Sequence, residues 1–114
     1  PYTGAYSAAK AAVIGFSRTT AIEAAAANIR VNTVVPGMVM TPPTAATLPN
    51  EEAKKASAAS VPIGRIGDPD ELAHAIVFLA SDEASYITGT ELIVDGGKSA
   101  ELNTGAANVA ALEI

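Results

Sequence analysis

Cysteine is absent from the 114 residues, and histidine occurs once. Disulfides are therefore excluded, and so is a metal site built from His and Cys ligands. A chain without cysteine is compatible with the cytoplasm, the expected location. Tryptophan is also missing, and aromatic residues make up only 4% while hydrophobic residues reach 49%. The core must then rest on Ala, Val, Ile and Leu, whose size suits close packing of helices on a sheet or on each other. Positive charge is scarce: 7 Lys and Arg against 12 Asp and Glu give a net charge of −5. That balance repels phosphate backbones, and no basic stripe interleaves with aromatics, so no nucleic-acid partner is expected. No apolar run approaches the roughly 20 residues that span a bilayer, so a soluble chain with no membrane partner is expected. The only methionines are Met38 and Met40, and no charged-then-apolar leader follows Pro1. Those two features together predict a fragment of a longer protein.

What is present reads as alternating helix and strand. From Tyr6 to about Ala27 the chain is Ala-rich and free of proline, with Val13, Phe16, Thr20 and Ala24 at three- and four-residue steps. This predicts one long helix, with Gly15 as a tolerated small residue where something packs closely. Ile29-Arg30-Val31-Asn32-Thr33-Val34-Val35 is rich in β-branched residues and stops at Pro36-Gly37, which predicts a strand. Residues 38–50 hold Pro42, Pro43 and Pro49 and read as a loop, with Asn50 starting a helix over Glu51–Ser60. Residues 61–67 read as a second loop. Asp68-Pro69-Asp70-Glu71 then marks a helix start, with Asp68 as N-cap, Pro69 at the first helical position and Glu71 three after the cap. Leu72, Ile76, Leu79 and Ala80 are the expected buried face of that helix, which runs to about Ser81. Leu92-Ile93-Val94 is a short strand ended by Asp95-Gly96-Gly97. The tail, 98–114, shows no pattern and is expected to be poorly ordered.

Two strands joined by a helical crossover are normally parallel, so the fold class is α/β. Two parallel strands alone make a poor sheet, which again points to a missing part.

Three places could carry chemistry. Tyr6 and Lys10 stand four residues apart on a helix, so both side chains leave the same face. A free phenol has a pKa of about 10, and a neighbouring ammonium makes it a usable general acid/base by favouring phenolate. A Tyr-x-x-x-Lys match alone also arises by chance. The segment Pro36-Gly37-Met38-Val39-Met40-Thr41 leaves the carboxyl end of a strand, where open α/β sheets bind ligands. Gly37 would let the backbone approach a ligand and Thr41 offers a hydroxyl; an ordinary strand-ending turn is the competing reading. Asp95-Gly96-Gly97 reads as plain turn chemistry. His74 has no acid or nucleophile at a matching spacing and is given no role. Ser17, Thr19 and Thr20 have no base partner, so Ser-His-Asp chemistry is rejected.

Taken in order, these segments resemble one family. Tyr6-Ser7-Ala8-Ala9-Lys10 opens the long helix, and Ile29-Arg30-Val31-Asn32 leads into Pro36-Gly37-Met38-Val39-Met40-Thr41. Gly64-Arg65-Ile66-Gly67-Asp68-Pro69-Asp70-Glu71-Leu72-Ala73 precedes Phe78-Leu79-Ala80-Ser81-Asp82. Tyr86-Ile87-Thr88-Gly89 then leads to Val94-Asp95-Gly96-Gly97. From about Ala5 to Gly97 the chain is similar to the carboxyl-terminal half of a short-chain dehydrogenase/reductase, with a Rossmann-like doubly wound parallel sheet. The resemblance implies a domain portion over residues 1–97 and a tail over 98–114.

The resemblance further implies hydride transfer between NAD or NADP and a small-molecule carbonyl or secondary alcohol. Tyr6 would be the acid/base, and Lys10 would lower its pKa and bond the nicotinamide ribose. Tyr2 lies one turn earlier, but the residue four on from it is Tyr6 rather than a cation. Val39 would meet the nicotinamide carboxamide through its backbone, behind the turn of Pro36 and Gly37. Thr41 would add a hydroxyl near the carboxamide or pyrophosphate. Residues 41–60 would be the substrate loop. No charge lies between Arg30 and Glu51, which suits an uncharged substrate portion. A 3-oxoacyl thioester and a secondary alcohol or sugar both fit. The family is usually a homodimer or homotetramer, with the first helix and the last helix–strand pair as contacts.

The family's glycine-rich phosphate turn, its catalytic serine, its relay asparagine and the residue choosing NAD or NADP match nothing here; Ser7 follows Tyr6 and is not that serine. The chain alone is therefore expected to bind cofactor negligibly and to be inactive. Two competing readings stand beside this one: a non-catalytic oligomerisation or interaction fragment, and a binding protein that keeps the fold without catalysis.

Overall fold

The computed structural model describes residues 3–101. Helix α1 spans Gly4–Ala24 and passes into a 3-10 turn over Ala25–Ala27. Asn28, with φ 57° in the left-handed region that Asn tolerates, ends it. The long helix predicted from the Ala-rich run is present, beginning two residues earlier and tightening over its last turn. Only one end of α1 is packed. Ala21 is 2% exposed and faces Gly89, where an added Cβ would lie 3.6 Å from the Ala21 Cβ. The Arg18–Glu91 ion pair ties down the same end. Away from that end the helix is open: Phe16 is 74% exposed, and Val13 is exposed too.

Strands β1 (Thr33–Pro36) and β2 (Glu91–Val94) form a parallel two-stranded sheet. Thr33 stands opposite Glu91 and Pro36 opposite Val94. The strand predicted from Ile29 therefore begins four residues late. Residues 30–32 run beside residues 87–90 instead, bonded largely through side chains. The Gly89 N–H donates to the Val31 carbonyl at 2.7 Å, and the Val31 N–H donates to Thr88 Oγ1 at 3.1 Å.

Between the strands lie three helices: α2 (Pro42–Thr47), α3 (Glu51–Ala59) and α4 (Pro69–Ala80). Helix α2 replaces part of the expected loop. Its prolines occupy the first positions, where a missing N–H costs nothing, and Thr41 is its N-cap. Asn50 caps α3, its Oδ1 accepting the Ala53 N–H at 2.8 Å, and Glu51 and Glu52 sit at the favourable positive end of the helix dipole. Helix α4 begins at Pro69 after Asp68, as expected, and Glu71 Oε2 accepts the Asp68 N–H at 2.8 Å.

Among the described residues the buried hydrophobic ones are Ala21, Val61, Leu79 and Ala84. Of the buried face expected on α4, Leu79 is buried and Leu72 half-buried, whereas Ile76 and Ala80 are exposed. The reason is geometric. Two strands about 5 Å apart offer too narrow a surface to cover the apolar stripes of two helices. Among the described residues no helix is long and apolar enough to cross a membrane. Of the expected tail, Lys98–Ala100 form a 3-10 turn, and 102–114 lie outside the described residues, as does Tyr2.

Candidate functional site

On the exposed first turns of α1, Lys10 Nζ lies 5.6 Å from the centroid of the Tyr6 ring. Four-residue spacing and an Ala-rich backbone place them so; Tyr6 is 66% exposed and Lys10 is exposed. A cation at that distance is attracted to the face of the ring. The expected pair is therefore formed.

The other expected residues gather where β1 ends. The Gly37 N–H continues the ladder, donating to the Val94 carbonyl at 2.9 Å. A Cβ on Gly37 would sit 2.6 Å from both Cα and Cβ of Asp95. The space on the Cβ side of Gly37 is thus filled by the turn that follows β2. Pro36 is the last strand residue and is exposed.

Val39 forms an isolated parallel bridge with Gly67: the Gly67 N–H donates to the Met38 carbonyl at 3.0 Å, and the Met40 N–H to the Gly67 carbonyl at 2.9 Å. The Val39 carbonyl accepts the Thr41 N–H at 2.9 Å, while the Val39 N–H donates no hydrogen bond among the described residues. The Thr41 hydroxyl is 3.0 Å from the Thr44 hydroxyl and accepts the Thr44 N–H at 3.4 Å. It serves as the cap of α2, a role not foreseen for it. Tyr6 and Lys10 share no hydrogen bond or ion pair with residues 36–41 among the described residues.

Asp95 behaves as the turn residue it was expected to be. Its Oδ1 accepts the Gly97 N–H at 2.9 Å and its Oδ2 the Ser99 N–H at 2.7 Å. Hydrogen bonds from Ser99, side chain first and then backbone, hold its carboxyl below the ordinary carboxylate range. A cavity of about 290 Å³ lies between this turn and the start of α4, lined by Met38, Val39, Val61, Ile63 and Leu72 and flanked by Arg65 and Glu71. Neither Tyr6 nor Lys10 lines it. Arg65 and Glu71 form a two-pronged pair at 2.7 and 2.6 Å. Bonds from Arg65 first, and then from the Asp68 backbone, pull the Glu71 carboxyl down to about 2.

The family model described as enoyl-(acyl carrier protein) reductase matches residues 1–99. The chain belongs to the short-chain dehydrogenase/reductase family. Within that family it is 53% identical, over 92 residues, to the 3-oxoacyl-[acyl-carrier-protein] reductase of Vibrio cholerae, covering 81% of this chain and 37% of that relative. Two solved structures are similar. A 4-hydroxyisoleucine dehydrogenase complexed with NADH superposes with a TM-score of 0.79 at 34% identity, over 86% of this chain and 40% of that one. The NADPH-dependent reductase YwfH of bacilysin biosynthesis gives 0.75 at 36% identity, over 81% and 38%. This short-chain dehydrogenase/reductase chain thus spans under half the length of each, and its two parallel strands match part of their Rossmann-like sheet.

Sequence reasoning passed over three residues of this family member. Arg30 donates to the carbonyls of Leu79 at 2.7 Å, Ser81 at 3.0 Å and Ile87 at 3.2 Å, satisfying the free carbonyl end of α4. Asn32 donates to the Ile87 carbonyl at 2.9 Å and accepts the Thr90 N–H at 3.1 Å. Both stood in the quoted Ile-Arg-Val-Asn segment, but nothing local reveals partners about fifty residues away. Glu71 was read as a capping residue only, and its pairing with Arg65 went unread.

Proposed function

We propose that the whole protein containing this chain transfers hydride between NAD or NADP and a carbonyl or secondary alcohol, with Tyr6 as acid/base and Lys10 beside it. The observation that carries this reading is the Lys10 ammonium over the exposed Tyr6 ring at 5.6 Å. In the reducing direction Tyr6 gives its phenolic proton to the carbonyl oxygen, and Lys10 stabilises the phenolate left behind. A bound nicotinamide supplies the hydride. Val39, whose N–H donates no hydrogen bond among the described residues, is suited to hold the nicotinamide carboxamide. Pro36 and Gly37 set the loop's path through the ladder bond and the tight contact with Asp95. Thr41, as the cap of α2, fixes where the loop becomes helix; its hydroxyl keeps capacity for a further bond.

A 3-oxoacyl thioester is the favoured substrate class, on the strength of the 53% identical relative of that name. An alcohol or sugar dehydrogenase remains the second reading, supported by the 4-hydroxyisoleucine dehydrogenase. The family resemblance favours a homodimer or homotetramer for the whole protein. The test is loss of NADH or NADPH absorbance by the protein expressed from its complete reading frame, offered 3-oxoacyl thioesters and simple ketones. Carbonyl-dependent oxidation of either cofactor is expected. No turnover with any carbonyl, and no oxidation of any alcohol in reverse, would sink the proposal.

A further inference from the structure

We infer that Glu71, braced by Arg65, is a positioning residue for the Val39 backbone, the group that the proposed function sets against the nicotinamide. The inference rests on that reading for its functional meaning and on the following contacts for its geometry. Glu71 Oε2 accepts the Asp68 N–H at 2.8 Å and also receives Arg65 Nη1 at 2.7 Å, while Oε1 receives Nη2 at 2.6 Å. One carboxylate therefore fixes both ends of residues 65–68. Inside that span Gly67 grips the cofactor loop on both sides of Val39, through Met38 and Met40. The three are in direct succession: an added Cβ at Gly67 would lie 3.4 Å from the Met38 carbonyl oxygen and 3.8 Å from both Glu71 Oε2 and Val39 Cγ2.

Gly67 is thus the common neighbour of the carboxylate and the loop. Because the Val39 N–H and carbonyl point away from Gly67 in such a bridge, holding the flanking groups orients the free N–H without consuming it. A residue that only capped α4 would need no second, two-pronged bond to Arg65. That planar pair adds direction as well as attraction.

The test compares Glu71→Ala, Glu71→Gln and Arg65→Gln with the unaltered protein from its complete reading frame. Three quantities are read: KM for the nicotinamide cofactor against KM for the carbonyl, amide hydrogen exchange at Gly67 and Met40, and Tm. For Glu71→Ala the cofactor KM is expected to rise about threefold to tenfold, with the carbonyl KM within about twofold and faster exchange at both amides. Glu71→Gln keeps an acceptor for the Asp68 N–H and should recover part of the loss; Arg65→Gln should show a smaller shift of the same kind. A lowered Tm with unchanged cofactor KM, or unchanged exchange at Gly67 and Met40, would overturn the inference. If Glu71→Ala fails to fold, the two glutamine variants decide by the same criteria. If the unaltered protein turns over no carbonyl, the proposed function fails by itself, and the exchange data still decide the positioning claim.

Discussion

The two ends of the small sheet are built differently. Where β1 and β2 start, long polar side chains reach across the fold: Arg30 spans Leu79, Ser81 and Ile87, and Asn32 bridges Ile87 and Thr90. Where the strands finish, the chain uses glycine turns and backbone bonds, with Gly37 against Asp95, Gly67 astride Val39, and Gly96 and Gly97 at positive φ. The first arrangement satisfies backbone groups with charge-assisted or amide bonds whose loss leaves them unpaired. The second brings backbones close together and leaves groups such as the Val39 N–H available. One end is made for holding; the other is where the proposed function places the cofactor, at the carboxyl ends of the strands, where open α/β sheets take their ligands.

Substitutions at each end should separate these roles. The largest effect on stability is expected for Arg30→Ala, about 3 kcal/mol in urea denaturation, because three carbonyls lose their donor. A loss below about 1 kcal/mol would show that the starting end is held by something else. Gly37→Ala should cost about 2 kcal/mol, since its Cβ would meet Asp95 backbone that cannot swing aside; a neutral result would mean the two turns separate easily. Asn32→Ala should cost about 1.5 kcal/mol, while Asn32→Asp keeps the acceptor for the Thr90 N–H but sets a carboxylate against the Ile87 carbonyl. Equal stability of the two variants would break that assignment.

The smallest effect is on acid stability. Glu71 titrates near 2 in the folded chain against an ordinary 4.5, so its contribution is present above about pH 4.5 and is lost as pH falls toward 2. Glu71→Gln should flatten that part of the stability–pH curve. An unchanged acid slope would mean that the Arg65 bond forms too seldom to matter.

Much of this was legible from local chemistry. Asp68-Pro69 and Asn50 announce helix starts because caps act within one turn, and Tyr6 and Lys10 meet because helical spacing dictates it. Residues 29–32 misled for a physical reason. β-branched composition favours extended backbone but cannot say whether a ladder or side chains satisfy it, and the partners of Arg30 and Asn32 lie far along the chain. Pro42 and Pro43 read as breakers, yet after a capping Thr41 they open a helix. Ile76 and Ala80 on α4 differ from expectation because periodicity marks a surface meant for burial without naming what covers it.

In the proposed reaction Tyr6, with Lys10 beside it, handles the proton. The most direct measurement is the rate of carbonyl-dependent NAD(P)H oxidation against pH for the unaltered protein and for Tyr6→Phe, a change that keeps the ring and removes only the hydroxyl. Tyr6→Phe should lower kcat about 10²- to 10⁴-fold with folding and cofactor binding intact. A Tyr6→Phe protein that reduces carbonyls at the original rate and with the original pH profile would contradict it.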